Sequence, residues 1–487
     1  MILLGIPQPV QHFFAPVVRH LSRPLRTALP AMVLALLLAP HRRCLKTLAG
    51  IVLGCRVHAS TISRRLRNAA WRTRDWFVDL FDRCLVDVVR YERSRAPGRR
   101  LTRSWMAVID TTYHSTHAEQ MENVILMSRR RDPNRRNTRQ HAFVMGLLIT
   151  ASGMRLALPR RSYYTLEYCA RYGRRYRSPV QLAAAMLQEL CLPDDIDLTV
   201  VFDSAFDANV IHRVCRERGF RSVFPLDPNR TLSTGAAVEA AGWRGHKVVA
   251  WTRSWAREEF TLLTLQYANE DHVFLRRRHG DNRRRAKTLR RYAIAARQAT
   301  VSNLGTCRVV ASYKENPGVQ LVPGQFADWW AYHRGPVVYR KHARTLPQRW
   351  HSKVLACTDA TATARQVVEW YEVRWQIELF FRELKSRLQF GCYVLQKFAA
   401  VERYLDLVLM GFLLLERERL RAQQEAGPPQ ERGGEPWVQA RTTDGLRALE
   451  ALCQQWNVEL LERRLRTAHG RRCLLRELRA MVPAHVA

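Results

Sequence analysis

Apolar and polar positions along the chain change their rhythm several times. Residues 1–98 carry apolar positions at helical spacing. Within them Leu45–Val52 predicts one helix, Gly54 a turn and Ser60–Asn68 a second helix. Ile62 and Leu66 of the second face inward, and Arg64, Arg65 and Arg67 face outward, as in a helix-turn-helix. Ala96-Pro97-Gly98 marks a boundary. Compact apolar runs follow at Trp105–Ile109, His141–Thr150, Met154–Leu158, Leu198–Phe202 and Arg221–Phe224, and they predict strands. Gln181–Leu190 and Asn209–Arg218 have helical periodicity. The order reads β-β-α-β-α-β, a mixed α/β core.

From 228 to 358 the pattern shifts to short β-rich segments, Lys247–Thr252, Phe260–Tyr267, Cys307–Tyr313 and Val337–Arg340. Arg-dense turns at 276–278 and 283–285 lie among them. This stretch is expected to be an all-β insertion. Trp370–Lys385 then reads as a single amphipathic helix, followed by a long apolar helix over about 399–424. A Pro/Gly-rich linker at 426–436 precedes a helical, Arg-rich C-terminal region, 437–487. The expected plan is a helical DNA-binding region (1–98), a core in two parts (99–227 and 359–425) around the insertion (228–358), the linker and the tail.

Charge narrows the partners. Across 487 residues, 79 Lys and Arg stand against 43 Asp and Glu, a net charge of +36. Such an excess repels itself unless a polyanion screens it, which makes nucleic acid the first candidate. A membrane surface fits less well, because the basic residues are spread over every segment and not set beside an amphipathic anchor. The longest apolar runs, Ala31–Ala39 and Leu407–Leu415, fall short of the roughly 20 residues a bilayer requires. With no export signal, a cytoplasmic, nucleoid-associated protein is expected. The 11 cysteines are odd in number, with no C-x-x-C pair, and predict reduced thiols.

The chemistry concentrates on the Trp370–Lys385 segment. Tyr371, Arg374, Glu378 and Lys385 share one helical face beside an apolar stripe of Val373, Ile377, Phe380, Phe381, Leu384 and Leu388. Asp110 and Asp203 each stand where an apolar strand ends. Three carboxylates from two strands and a helix can meet at one sheet edge, but like charges so close need compensation. Mg²⁺ or Mn²⁺ suits such hard oxygen ligands, and two ions about 3.5–4 Å apart serve an in-line displacement at phosphorus.

Other positions carry weaker readings. Asp207 is a possible substitute for Asp203. Asp194, Asp195 and Asp197 read as a solvated loop, and His114 and His117 as surface residues flanking Asp110. Arg runs, including 129–131, suit phosphates. Trp375 is expected to pack, and Trp329 and Trp330 to be β-domain core or base-stacking residues. No glycine loop of the ATP-binding type occurs.

Tyr371-x2-Arg374-x3-Glu378-x6-Lys385 resembles, at every position, the Y-x2-R-x3-E-x6-K signature of bacterial insertion-sequence DDE transposases. Asp110-Thr111-Thr112 and Asp203-Ser204-Ala205-Phe206 are similar to the family's first and second aspartate motifs. The resemblance covers about residues 100–400. It implies an RNase H-like core interrupted by a β-rich insertion, cleavage of double-stranded DNA at terminal inverted repeats, and strand transfer into a target by a homodimer. It implies that Asp110, Asp203 and Glu378 ligate two Mg²⁺ (or Mn²⁺) ions. Tyr371, Arg374 and Lys385 would grip phosphates, while Arg64 and Arg65 are DNA contacts on the basic-helix reading. Two alternatives stand beside this: a nuclease of the same fold without strand transfer, and a transposase-derived DNA-binding protein without catalysis.

Overall fold

The structure, a computed structural model, describes residues 3–39, 59–68, 71–95, 105–116, 120–127, 138–233, 243, 245–267, 288–315, 350–388, 390–391, 393, 395–425 and 442–479. The expected elements at Leu45–Val52 and Val337–Arg340, the linker, the Arg runs at 129–131, 276–278 and 283–285, and His117, Trp329 and Trp330 lie outside these residues.

The sheet is built around two strands that are apolar on both faces. β1 (Trp105–Thr116) and β6 (Leu198–Phe202) run parallel, with Trp105 opposite Leu198 and Ile109 opposite Phe202. Trp105–Ile109 and all of β6 are buried, the pattern of strands covered on both sides. β1 continues past Asp110 to Thr116, paired antiparallel with β3 (Thr138–Ile149). The strand therefore does not end at Asp110, as the apolar run suggests; only its parallel pairing with β6 ends there. β2 (Ile125–Met127), β4 (Arg155–Ala157) and β5 (Arg161–Ser162) pair with the other edge of β3. β7 (Arg221–Pro225) extends β6 in parallel.

The sheet continues through the expected insertion. β8 (Thr261–Tyr267), β9 (Thr288–Val301), β10 (Gly305–Glu315) and β11 (Trp350–Cys357) are antiparallel, and β11 pairs with β7. The path across the sheet is β2-β3-β1-β6-β7-β11-β10-β9-β8. The expectation of an all-β stretch fails at Lys247–Thr252. Val248–Glu259 is a helix, because Val248, Trp251, Thr252, Trp255 and Ala256 bury one face at helical spacing.

In chain order the helices are α1 (Gln8–Val18), α2 (Arg23–Leu38), α3 (Ala59–Arg67), α4 (Thr73–Arg95), α5 (Leu166–Tyr172), α6 (Pro179–Glu189), α7 (Asn209–Glu217), α8 (Val248–Glu259), α9 (Ala364–Glu372), α10 (Trp375–Ser386), α11 (Phe398–Glu425), α12 (Thr442–Leu465) and α13 (Ala468–Arg479). α11 is the axis of the helical body. Leu405 and the stretch Leu407–Leu415 are buried in it, against α2, α3, α4 and α12. α2 buries its Ala31–Leu38 run in the same core. Among the described residues no helix is long and apolar enough to cross a membrane. This mixed sheet with helices on its faces is consistent with an RNase H-like domain.

Two buried charge networks tie the sheet to α11. Arg155 of β4 reaches Glu416 at 3.1 Å and Glu383 of α10 at 3.0 Å, and Glu416 also holds Arg419 at 2.7 Å. Arg160 meets Asp406 at 2.8 Å, and Thr73 donates to the other Asp406 oxygen at 2.7 Å. The acids that bracket the Leu407–Leu415 run are thus buried ion-pair partners.

Candidate functional site

β1 and β6 bring two aspartates together. Ile109–Phe202 is their last parallel pair, so Asp110 and Asp203 emerge side by side, roughly one 4.8 Å strand spacing apart. Each uses one oxygen to hold the next amide: Thr111 N donates to Asp110 at 2.7 Å, and Ser204 N to Asp203 at 2.8 Å. The second bond starts a short 3₁₀ turn, Ser204–Phe206, anchored by buried Phe206.

The third carboxylate comes from α10. Its apolar stripe Ile377, Phe380, Phe381 and Leu384 is buried, and the helix packs on β1 and β3. That leaves Glu378 on the edge facing the aspartates. The segment is not one helix, as its periodicity suggests. α9 begins in a capping box of Thr363 and Gln366 and ends at Glu372; α10 starts at Trp375. Between them the amides of Val373 and Arg374 bond three residues back, to Trp370 and Tyr371. This tightening to 3₁₀ geometry stacks residues i and i+3, so Tyr371 and Arg374 stay aligned through the break.

Arg374 lies at the centre of the cluster. Its Nη2 donates to Glu378 Oε1 at 2.6 Å, and its Nη1 is 3.8 Å from Asp110 Oδ2. Burial works to lower the Arg374 pKa, but Tyr371, Glu378 and Asp203 together hold it above the ordinary arginine value. Asp110 shows the opposite stress. Desolvation raises its carboxyl pKa, the Thr111 amide and Arg374 pull it back, and Asp203 and Glu378 push it up again. The three carboxylates therefore share one electrostatic environment, in which Arg374 supplies the compensating charge.

Among the described residues, no group of three His, Cys, Asp or Glu side chains is close enough together to hold a metal ion. The donors at this site are all hard carboxylate oxygens, the set that Mg²⁺ or Mn²⁺ takes. Glu378 is turned to Arg374, and the side chain of Glu378 retains 38% exposure. The donor chemistry fits a divalent ion; the present pairing gives Glu378 to Arg374.

The other expected site residues are arranged differently. Tyr371 is buried, and Lys353 of β11 donates to its hydroxyl at 2.9 Å. Tyr371 is thus a packed anchor held by Lys353, a residue that the helix pattern alone does not point to. Lys385 donates to the Tyr113 carbonyl of β1 at 3.0 Å, joining α10 to the aspartate strand. Although exposed as a residue, Lys385 has an ammonium whose pKa is lowered by desolvation. Trp375 is not part of the core; it is 41% exposed at the start of α10. Arg64 and Arg65 lie on α3, which buries Ile62 and Leu66 and is tied through the Leu66 carbonyl to Arg403 of α11 at 2.7 Å. Arg64 is exposed and Arg65 half-buried, remote in sequence from the carboxylates.

Asp207 is no substitute for Asp203. Its side chain is fully buried, 2.8 Å from His212 and 2.7 Å from Arg230, and it accepts the Asp227 amide at 2.8 Å. Asp195 is paired with Arg93 at 2.8 Å and is not a free loop acid. The His114 ring lies tilted against Tyr393, with ring centroids 5.2 Å apart.

Residues 175–414 match the family model of the transposase DDE domain, which supports a DDE transposase family. The matched stretch contains Asp203, Tyr371, Arg374, Glu378 and Lys385 and begins beyond Asp110. Asp110 joins the cluster through the β1–β6 register. No curated protein matches the chain.

Proposed function

Starting from the transposase assignment, we propose that this chain is a metal-dependent enzyme that cleaves double-stranded DNA at transposon ends and transfers the freed strand into target DNA. The observation that carries the reading is that Arg374 links Glu378 to Asp110, with Asp203 beside Asp110 at the end of the neighbouring strand. β1 and β6 supply two of these acids where their parallel pairing ends, and α10 supplies the third. Asp110, Asp203 and Glu378 would hold the divalent ions. Those ions, when bound, activate water or a 3′-hydroxyl and stabilise the leaving oxygen.

The protein's own residues do the rest. Arg374 exchanges Glu378 for a DNA phosphate, which frees the carboxylate and grips the backbone with a planar donor pair. Lys385, fixed to β1, adds positive charge beside the same strand. Lys353 and Tyr371 keep the α9–α10 corner rigid. The net charge of +36 suits a duplex partner. Cleavage at two ends calls for a homodimer binding the terminal inverted repeats.

The test is cleavage and joining with the full chain, Mg²⁺, an end-bearing duplex and a target plasmid. Glu378→Gln should abolish cleavage while duplex binding persists. Undiminished cleavage by that variant would falsify the site. Cleavage without joined product would assign instead a nuclease of the same fold. Binding without metal-dependent nicking by the wild type would leave a non-catalytic DNA-binding protein.

A further inference from the structure

A second basic feature lies away from the carboxylates. A cleft of about 510 Å³ opens at the β5 edge of the sheet, between the start of α4, the segment after α5, and the start of α11. Arg72, Arg74, Arg161, Arg174, Arg175 and Arg177 line it, with Arg160 and Arg403 deeper in. Its lining acids are Glu402 and Asp406.

Those two acids are already engaged. Asp406 is held by Arg160 and Thr73. Glu402 Oε1 accepts from Ser162 at 2.7 Å and Tyr164 at 2.8 Å. They organise the floor of the cleft, while at its rim Arg72 pairs with Asp75 at 3.2 Å and Arg74 and Arg161 both meet Glu189. Arg175 and Arg177 are exposed, and among the described residues neither makes a hydrogen bond or ion pair. The floor is also short of acceptors: Arg160 is 5% exposed, yet its Nε has no hydrogen-bond partner, and the buried Nε of Arg161 has none. Crowding is felt at Arg74, whose pKa is lowered by burial first and then by Arg161 and Arg160. An anion entering here meets the exposed guanidinium groups of Arg175 and Arg177 and relieves like-charge repulsion.

The register places this cleft relative to the carboxylates. Thr112 of β1 pairs with Phe143 of β3, which pairs with Ser162 of β5. Directly paired residues point to the same face. Asp110 and Thr112 share a face by alternation, and the Arg160 guanidinium donates to Ser162 Oγ at 2.6 Å. The cleft floor and the acidic cluster thus occupy one face of the sheet, about two strand spacings or 10 Å apart at this row.

We propose that this cleft binds the sugar–phosphate backbone of duplex DNA and holds the stretch flanking the one that reaches Asp110, Asp203 and Glu378. The proposal rests on the DNA reading above. Arginine suits the role, since its forked donors match phosphate oxygens and such contacts position a duplex without reading its sequence.

The experiment uses the full chain and a mixed-sequence DNA duplex, with affinity measured over a range of salt. Arg175→Ala/Arg177→Ala should make the slope of log K against log salt shallower by about 2, one phosphate contact per arginine. Arg175→Lys/Arg177→Lys should restore most of that slope, since charge is kept. Both side chains are exposed, so a thermal melt identical to wild type is expected and confirms that the fold is intact. A double alanine variant whose slope and affinity equal those of a duplex-binding wild type overturns the cleft alone. Wild-type protein that binds no duplex overturns both readings. A shallower slope together with undiminished cleavage by Glu378→Gln supports the cleft and overturns only the catalytic assignment.

Discussion

The Arg374 guanidinium joins two carboxylates that lie 268 residues apart in the chain: it is 2.6 Å from Glu378 and 3.8 Å from Asp110. The pairing makes Arg374 the group that must change partners if Glu378 is to ligate a metal. Arg374→Ala should therefore tighten Mn²⁺ binding at the acidic cluster while lowering duplex affinity, with a salt slope shallower by about 1. Calorimetric titration with Mn²⁺ checks the first effect. Weaker metal binding in the variant would show that Arg374 supports the site instead of competing for it.

Tyr371 separates a packing role from a phosphate-gripping role. Its hydroxyl is occupied by Lys353 and its ring is buried. Tyr371→Phe should cost about 1 kcal/mol of stability and leave duplex affinity unchanged. Tyr371→Ala should cost about 3–5 kcal/mol through the cavity it opens. A tenfold loss of duplex affinity in the Phe variant would return the hydroxyl to the DNA interface.

The buried network on α11 should govern how firmly α10 is held. Arg155 bridges Glu416 and Glu383, and Glu383 lies on the helix that carries Glu378. Glu416→Ala leaves Arg155 with Glu383 alone and takes from buried Arg419 its carboxylate, and should cost about 3–5 kcal/mol. Denaturant unfolding measures it. A loss under 1 kcal/mol would mean that the network contributes little to holding the fold.

Acid should destabilise the protein in two stages through Asp207 and His212. Burial holds the His212 pKa below its usual value, outweighing the opposing pull of Asp207. The unfolded chain takes up that proton below about pH 6.5 and the folded chain does not, so stability declines as pH falls from there. Burial works to raise the Asp207 pKa, but His212 and Arg230 hold it below the usual carboxylate value. Its contribution is present above about pH 4 and is lost as pH falls through the folded value. His212→Gln removes the first stage. Denaturant midpoints that stay level between pH 7 and 5 in the wild type would contradict the assignment.

Trp375 is 41% exposed beside Arg374 and belongs to no part of the buried core. Trp375→Ala should change stability by less than about 0.5 kcal/mol. Any larger loss in end cleavage than in stability would then report contact with DNA.

The sequence alone determined the pieces that depend on local order. Apolar runs at Trp105–Ile109 and Leu198–Phe202 fixed two buried strands, because side chains covered on both faces must be apolar throughout. The spacing of Glu378 from Ile377, Phe380 and Leu384 fixed which helix edge meets solvent. Three things were decided only by tertiary structure. Tyr371 is buried on the face of α9 that carries Val367 and Val368, where Lys353 reaches it from a strand paired across the sheet. The prolongation of the sheet from β7 into β11 depends on pairing between segments distant in the chain. Arg155, Arg160, Asp406 and Glu416 read as ordinary charges until packing removes them from water. Periodicity reports which residues leave solvent; it carries no information about which distant partner meets them there.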